Sequence, residues 1–357
     1  MRNNLFKKRL LIGIIVLFIA VDLSVKGTIN NEAKSLSVSY GNTLYVGGNG
    51  PGNYSKIQGA IDNASDGDTV FVYDDSSPYI ETIVIDKPLN LVGESKDTTI
   101  IDGAGMDTVV NVLADNVMIT GFTIQNSSRD NGCGIILQSD SIVIKNNIVK
   151  NSYFAGIWVD FCNNNKIIDN IITNDEFEDM YVIGVWVVGK YNEVTGNFIS
   201  NLREGIVFEG SYHNIVSLNT VTGNMEGIGL WGFNRNNTIY GNNILNNDVG
   251  ITVEMSTNNR IIENNLIGNI KNAVFTKSIL QEIYSMIIIS IIYKDLWLIK
   301  NYKVIGRNIF DRNYWDEPRK LPYPIFGQRG FIFYFIDIYD AVVFDWHPAQ
   351  EPYDIEV

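Results

Sequence analysis

The fold is decided by residues 197–231, which read NFISNLREGIVFEGSYHNIVSLNTVTGNMEGIGLW. A glycine followed by an aliphatic residue occurs twice in this stretch, at Gly205-Ile206 and Gly227-Ile228, about 22 residues apart. The same step recurs on both sides at a similar spacing, apart from one longer interval, at Gly134-Ile135, Gly156-Ile157, Gly184-Val185 and Gly250-Ile251. Because the spacing is kept over successive units, the pattern predicts a repeat protein.

Asparagine marks a second position of the repeat. The chain has about 43 asparagines, and well over half of them lie between Asn146 and Asn272. An Asn step lies between successive Gly steps, with Asn219-Thr220 as a weaker member, at Asn147-Ile148, Asn170-Ile171, Asn197-Phe198, Asn243-Ile244 and Asn265-Leu266. Another Asn follows soon after, at Asn151, Asn174, Asn201, Asn224, Asn247 and Asn269. Asparagine tolerates the left-handed backbone of sharp turns, and stacked amides can hydrogen-bond in a ladder, so we place these residues at corners.

The apolar runs between these markers are short and rich in Ile and Val, as expected of strands. A unit of about 22 residues cannot bury its own apolar face, so successive units must stack on one another. We therefore predict an all-β fold, a right-handed parallel β-helix (solenoid) of about eleven or twelve coils with N-terminal and C-terminal caps. A leucine-rich repeat has a similar period, but the leucine framework that it needs is absent.

The two ends of the chain differ from the repeats. Residues 10–21 form an apolar run behind a basic segment, so residues 1–27 are interpreted as a signal peptide or an N-terminal membrane anchor. We assign the remaining segments as a linker (28–42), the β-helix (43–312, with 43–68 as its N-terminal cap) and a C-terminal cap or tail (313–357). Residues 275–300 fit either a degenerate coil or a capping helix. The protein is expected to be exported, and to be secreted or held at the cell surface.

Composition restricts the partners and cofactors. The net charge of -13 and the pI near 4.6 disfavour nucleic-acid binding. Two histidines and two cysteines leave few soft ligands, so copper is disfavoured, no cofactor is expected and Ca²⁺ on acidic side chains is the alternative. Cys133 and Cys162 can pair in an oxidising compartment only if their Cα atoms come within reach. We expect a monomer.

Strand alternation assigns side chains to two faces. Residues one and three positions after each repeat glycine are all apolar and are predicted to fill the bore, whereas those two and four positions after it face outward. Trp158 and Trp186 then fall in register on neighbouring coils, with Trp231 farther along. Indoles suit sugar rings, so the glycan-binding candidates on this outer face are Trp158, Trp186, Trp231, Asp160, Glu209 and Glu254.

The acidic residues near this face are also candidates for catalysis and for metal binding. Asp160, Glu209 and Arg203 are the catalytic candidates for an enzyme that acts on polysaccharide. The oversized coil carries the metal candidates, which are Asp175, Glu176, Glu178 and Asp179. The structural alternative is that the Trp residues pack beneath the long loop or the C-terminal cap, while the acids and the Arg203–Glu204 pair are simply solvated.

The N-terminal repeats resemble a known family. Residues 55–64 (SKIQGAIDNA), 67–70 (GDTV), 85–94 (IDKPLNLVGE) and 101–103 (IDG) are similar to the opening of NosD-like proteins and of β-helix domains shared by carbohydrate-binding proteins and sugar hydrolases. The Asn-rich repeats and Asn313-Tyr314-Trp315-Asp316 resemble archaeal surface members. The resemblance covers about residues 43–316 and implies export, polysaccharide or surface-layer contact and, in some members, lyase, hydrolase or copper-delivery roles.

We therefore expect a non-catalytic protein that contacts polysaccharide or cell-surface glycan through the outer Trp and acidic face. One alternative is a polysaccharide lyase or glycoside hydrolase of the pectate-lyase-like superfamily. Against it, His213-Asn214 and His347-Pro348 do not match the His-Gly motif through which polygalacturonase-like proteins resemble one another. The other alternative is a NosD-like periplasmic copper-binding accessory protein.

Overall fold

The computed structural model describes residues 41–175, 182–278, 308–316, 323–330, 337–345 and 347–355. The predicted signal segment and most of the predicted linker lie outside these ranges, as does the part of the 275–300 stretch that follows Ser278. Within the described ranges, no helix combines the length and apolar character that crossing a membrane requires.

The described residues form one short helix and many strands. The helix, α1, spans Ile57–Asn63 and lies within the predicted N-terminal cap. The strands of the N-terminal half are β1 (Thr43–Val46), β2 (Thr69–Val72), β3 (Tyr79–Ile80), β4 (Ile83–Ile85), β5 (Asn90–Gly93), β6 (Ile100–Asp102), β7 (Val110–Val112), β8 (Met118–Thr120), β9 (Thr123–Gln125), β10 (Cys133–Leu137), β11 (Val143–Lys145), β12 (Ile148–Lys150), β13 (Ala155–Asp160), β14 (Lys166–Ile168), β15 (Ile171–Thr173) and β16 (Ile183–Val188).

The C-terminal half continues in the same way. Its strands are β17 (Glu193–Thr195), β18 (Phe198–Ser200), β19 (Glu204–Glu209), β20 (Ile215–Ser217), β21 (Thr220–Thr222), β22 (Glu226–Trp231), β23 (Thr238–Tyr240), β24 (Asn243–Leu245), β25 (Val249–Glu254), β26 (Arg260–Ile262), β27 (Asn265–Ile267), β28 (Lys271–Ser278), β29 (Ile309–Asp311), β30 (Tyr314–Trp315), β31 (Tyr323–Gly330) and β32 (Asp337–Asp345).

The strands form three long sheets. Sheet A runs β1-β2-β5-β8-β11-β14-β17-β20-β23-β26-β29, sheet B runs β3-β6-β9-β12-β15-β18-β21-β24-β27-β30, and sheet C runs β4-β7-β10-β13-β16-β19-β22-β25-β28-β31-β32. Neighbouring strands are parallel, except that β32 pairs antiparallel with β31. Each coil thus adds one strand to each sheet. This is the predicted right-handed parallel β-helix.

The number of coils is lower than predicted, about ten rather than eleven or twelve. Strand β29 pairs directly with β26, and β30 pairs directly with β27. Both interpretations of residues 275–300 stay predictions, because residues 279–300 lie outside the described ranges. Across this junction Asn308 stacks on Asn259 and Ile309 pairs with Arg260.

The bore is filled as predicted. The residues one and three positions after the repeat glycines are at most 1% exposed, and they are Ile135, Leu137, Ile157, Val159, Val185, Val187, Ile206, Phe208, Ile228, Leu230, Ile251 and Val253. The glycines recur because the coils approach closely there. A Cβ atom on Gly205 would lie 2.5 Å from the carbonyl oxygen of Gly227 in the next coil, so only glycine fits.

An asparagine ladder connects the corners between sheets A and B. Each Nδ2 donates to the Oδ1 of the next coil over 2.9–3.2 Å, in the order Asn147, Asn170, Asn197, Asn219, Asn242, Asn264 and Asn313. Asn219 is therefore a full member rather than a weak one. The ladder residues in two coils are Asn242 and Asn264, not the predicted Asn243 and Asn265. Each of these coils has two adjacent asparagines, and the sequence pattern does not show which of the two belongs to the ladder.

Two further ladders run along the solenoid. One connects Asn214, Asn237, Asn259 and Asn308, and the other connects the predicted residues Asn224, Asn247 and Asn269. Asn151 and Asn201 lie outside this third ladder and occupy turn positions with φ of 53° and 59°. Asparagine thus serves the corners in both predicted ways, as a ladder residue and as a left-handed turn residue.

Candidate functional site

The outer surface of sheet C carries an aromatic cluster. Trp158 and Trp186 are register partners on β13 and β16, as predicted. Their rings stack with centroids 5.1 Å apart and planes 11° apart. Phe154 contacts both edge-on, with centroid distances of 5.6 Å and 5.4 Å. We call the surface formed by Phe154, Trp158, Trp186 and Trp231 the aromatic face.

The aromatic face covers a small apolar layer of its own. Buried beneath it lie Cys133, Ala155, Ile183 and Val207, which are separate from the apolar cluster in the bore. The aromatic side chains are themselves half-buried, and each stacked indole uses one ring face against the other. The Nε1 atom of Trp158 is buried and has no hydrogen-bond partner within the described residues. A buried indole N–H usually has a partner, so this atom is an unused donor.

Trp231 belongs to a different column from the stacked pair. It is the register partner of Glu209 on β19, four positions after its glycine. Its Nε1 donates a hydrogen bond to Oε1 of Glu226 over 2.9 Å. A Cβ atom on Gly229 would lie 2.6 Å from this Nε1 atom. Glycine at this position therefore gives the indole room to lie across β22 toward Glu226.

The predicted acidic column is present but interrupted. In successive coils its positions are Asp160, Val188, Glu209, Trp231 and Glu254, so no two of these acids are on adjacent coils. Burial raises the pKa of all three carboxyl groups. A hydrogen bond from Gln138 opposes this rise at Asp160, and the Trp186 indole opposes it at Glu209.

Two glutamates that we did not select from the sequence lie on adjacent coils of this surface. Glu204 and Glu226 precede the glycines of consecutive coils and are register partners. Burial, reinforced by the charge of Glu226 and opposed by Arg203, raises the pKa of Glu204 to about 8. Burial raises the pKa of Glu226 to about 7, although the hydrogen bond from Trp231 opposes it. Strongly raised carboxyl pKa values are more frequent at functional sites than elsewhere, which makes the pair a candidate.

The signal for this pair was visible in the repeated Glu-Gly-Ile at 204–206 and 226–228. Simple alternation places the residue before the glycine in the bore. The structure instead places this position on the aromatic side, where Cys133, Ala155 and Ile183 occupy it in other coils. The predicted catalytic candidate Arg203 lies beside the pair, with its Nε 3.6 Å from Oε1 of Glu204.

The predicted metal loop is described only at its first residue. Asp175 accepts a hydrogen bond from Asn151 Nδ2 over 2.8 Å and lies 3.5 Å from Lys150 Nζ. Glu176, Glu178 and Asp179 lie outside the described residues. Calcium binding by this loop stays a prediction.

The described residues do not fit a copper site. Cys133 and Cys162 are free thiols in separate apolar clusters, and burial raises the pKa of each to about 12, so both stay protonated. His213 stacks on Tyr191 with centroids 5.3 Å apart, and His347 Nδ1 lies 2.8 Å from Asp311. In the part of the chain that the structure describes, no three His, Cys, Asp or Glu side chains gather as metal ligands.

Several solved structures are similar to this chain at low sequence identity. Pectate lyase Pel9A is 14% identical with a TM-score of 0.48, and the match covers 68% of this chain and 76% of that one. An alginate lyase from Paenibacillus sp. is 16% identical with a TM-score of 0.47 and coverages of 66% and 93%. The enzymatically active domain of bacteriophage CBA120 tailspike protein 2 is 12% identical with a TM-score of 0.49 and coverages of 62% and 39%. No curated protein matches the chain.

The family comparison is more specific. The model for the periplasmic copper-binding protein family (NosD) matches residues 61–248 and, in an overlapping second match, residues 182–320. Together the two matches span most of the three-sheet solenoid and well over half of the chain. The resemblance to NosD-like proteins predicted from the opening repeats is thereby confirmed, whereas the archaeal type stays a prediction. The chain belongs to the NosD family of periplasmic copper-binding proteins.

Proposed function

We propose that this protein is exported and, as a monomer, binds a polysaccharide or cell-surface glycan on the aromatic face without cleaving it. The observation that carries the proposal is the stacked Trp158–Trp186 pair, half-exposed on the outer surface of sheet C. The periplasmic description of the family supports export.

The chemistry of the surface suits sugar rings. The C–H faces of a pyranose pack on aromatic side chains, and its hydroxyl groups need acceptors and donors around the rim. Glu209 and Glu226 lie beside the indoles, and burial raises the pKa of both carboxyl groups. A protonated carboxyl group both donates and accepts hydrogen bonds, and it costs less to desolvate than a charged one. The face can therefore serve a hydroxyl-rich ligand.

The proposal is tested by affinity electrophoresis of the full chain in gels that contain a panel of neutral and acidic polysaccharides. The wild-type chain is expected to be retarded by at least one polysaccharide, and the double variant Trp158→Ala/Trp186→Ala is expected to migrate freely. Phe198→Ala is the matched control, because Phe198 is an aromatic residue that is 39% exposed on sheet B, away from the aromatic face. Unchanged retardation of the double variant would overturn the proposal, and so would its unfolding in circular dichroism, since the indoles would then be packing residues.

A second candidate function is favoured by the Glu204–Glu226 pair. A carboxyl group with a raised pKa can act as a general acid near neutral pH, and glycoside hydrolases use a pair of carboxyl groups. Glu204 and Glu226 supply such a pair on adjacent coils, with raised pKa values. Release of reducing ends from the retained polysaccharide, abolished by Glu226→Gln, would support a hydrolase. Unsaturated products would support a lyase. Retention without either product leaves binding as the function.

A copper-delivery role is the remaining alternative, because the family description names copper. Copper prefers thiolate, thioether and imidazole ligands. Within the described residues no three His, Cys, Asp or Glu side chains gather as metal ligands, so we derive no step through copper. Tight copper binding that survives both His213→Ala and His347→Ala would contradict our ligand argument.

A further inference from the structure

A second aromatic surface lies at the N-terminal end of the solenoid, on the outside of sheet A. It consists of Tyr45 on β1, Phe71 on β2 and Tyr73 immediately after β2. The rings of Tyr45 and Tyr73 stack with centroids 6.0 Å apart and planes 21° apart. Phe71 contacts Tyr73 edge-on, with ring centroids 5.1 Å apart. The stacked tyrosine pair thus forms an aromatic wall.

This wall borders a groove with a volume of about 650 Å³. The Gly-rich turn at residues 48–53 forms a second side, and Asp74, Asp75 and Glu94 form the rim. The volume falls within the range of small-molecule sites. Because glycine backbone and a proline make up much of the turn, a ligand can approach the main chain closely there.

The three carboxylates are held in place and keep acceptors free. Asp75 Oδ1 accepts from the Gly48 N–H over 2.9 Å, Glu94 Oε2 accepts from the Asp74 N–H over 3.1 Å, and Asp74 Oδ2 accepts from the Thr98 hydroxyl over 2.6 Å. The other oxygen of each carboxylate accepts no hydrogen bond from a described residue. The described residues that line the groove include no Lys or Arg. The groove is therefore strongly negative and positions three free acceptors.

The ligand class follows from this combination. An anionic ligand is repelled by three unpaired carboxylates. Within the described ranges these acids do not converge as a metal site, so they suit an extended ligand better than a single ion. An ammonium group is attracted both to carboxylates and to the faces of aromatic rings. The aromatic wall itself suits the flat C–H face of a sugar ring.

We propose that this groove binds a pyranose that carries a free ammonium group, as in a de-N-acetylated hexosamine polymer. The ring packs against Tyr45 and Tyr73, and the ammonium group donates to the free oxygens of Asp74, Asp75 and Glu94. The site lies in the first coils and shares no residue with the aromatic face of sheet C. This proposal is therefore independent of the glycan-binding function proposed above.

The test is calorimetric titration of the full chain with four probes: a β-1,4-linked glucosamine tetramer, its fully N-acetylated counterpart, a galacturonate tetramer and spermine. Only the glucosamine tetramer is expected to bind well, and N-acetylation is expected to weaken binding about tenfold or more, since it removes the charge. Equal binding of spermine would show general attraction of polycations and would overturn the proposal. Equal binding of the acetylated tetramer would overturn it as well.

Two matched pairs of variants locate the site. Tyr45→Ala is expected to weaken binding of the glucosamine tetramer about five- to tenfold, whereas Tyr240→Ala leaves it unchanged. Both tyrosines are exposed on sheet A, at 42% and 38%. Glu94→Gln is likewise expected to weaken binding and to reduce its salt dependence, while Glu193→Gln, on the same sheet, has no effect. Equal effects within either pair would show that the groove is not the site.

Discussion

Glu204 and Glu226 lie directly opposite each other on the adjacent parallel strands β19 and β22. Both carboxyl groups are largely removed from water, and their pKa values are raised to about 8 and about 7. Two carboxylates on neighbouring strands repel each other, and desolvation also disfavours charge. The pair therefore holds protons at a pH where ordinary carboxyl groups have lost them.

This pair predicts an unusual pH dependence of stability. Between the ordinary glutamate pKa and the raised values, the folded chain binds more protons than the unfolded chain, so these groups destabilise the fold as pH rises from about 5 to about 8. We expect Glu204→Gln to increase the free energy of unfolding at pH 8 by a few kcal/mol and to change it little at pH 5. Denaturant unfolding at the two pH values measures both.

The control for this prediction is Glu193→Gln, which removes a half-buried carboxylate 3.4 Å from the more exposed Lys166. It is expected to leave the difference between pH 5 and pH 8 unchanged, because surface ion pairs contribute little. If Glu204→Gln shows the same pH dependence as the wild-type chain, the carboxyl group is ionised in the folded protein and the assignment is wrong.

The indole of Trp231 is predicted to set the pKa of Glu226. Its N–H donates to the carboxylate and lowers a pKa that burial raises. Trp231→Phe keeps an aromatic ring but removes the donor, so we expect the pKa of Glu226 to rise above about 7. An NMR titration of the Glu226 side chain measures this, with Trp158→Phe as the control that leaves it unchanged. A fall in the pKa of Glu226 would contradict the prediction.

The asparagine ladder is predicted to be a major source of stability. Asn242 is fully buried, and its Nδ2 donates to Val216, Tyr240 and Asn264. Asn242→Ala leaves several buried polar groups without partners, so we expect a loss of roughly 3 kcal/mol in the free energy of unfolding. Asn236→Gly is the control, because Asn236 is exposed with a φ of 56° that glycine adopts freely. A comparable loss in both variants would argue against the ladder.

The repeat glycines are predicted to be irreplaceable for steric reasons. A Cβ atom on Gly205 would lie 2.5 Å from both the Gly227 carbonyl oxygen and Cγ1 of Val221. We expect Gly205→Ala to cost roughly 2 kcal/mol or more, since the neighbouring coil must move. Gly59→Ala, on α1, is expected to stabilise by about 0.5 kcal/mol, because the new Cβ has 3.8 Å to its nearest neighbour and alanine favours helix. Thermal unfolding of both variants separates steric conflict from general intolerance of substitution.

Features that depend on the repeat period were predicted well from the sequence. The solenoid, the residues of the bore and the register of Trp158 with Trp186 all follow from strand-length apolar runs that recur at a fixed spacing. The errors occurred where the period carries no information. Asn242 and Asn264 each have an asparagine as the next residue, so the spacing did not show which residue of the pair stacks in the ladder. The number of coils was overestimated because the residues between β28 and β29 do not follow the repeat.

The sequence by itself determined that successive coils stack, because units of this length cannot bury their apolar face alone. Only the tertiary structure decided which polar groups lose water. It placed Glu204 and Glu226 beside the indoles rather than in the bore. It also brought Tyr45, on β1, to one groove with Tyr73 and Glu94, which directly follow β2 and β5 of the same sheet. Burial and proximity of side chains from different coils depend on how the chain bends at each glycine and turn, and the spacing of residues along a sequence does not specify those bends.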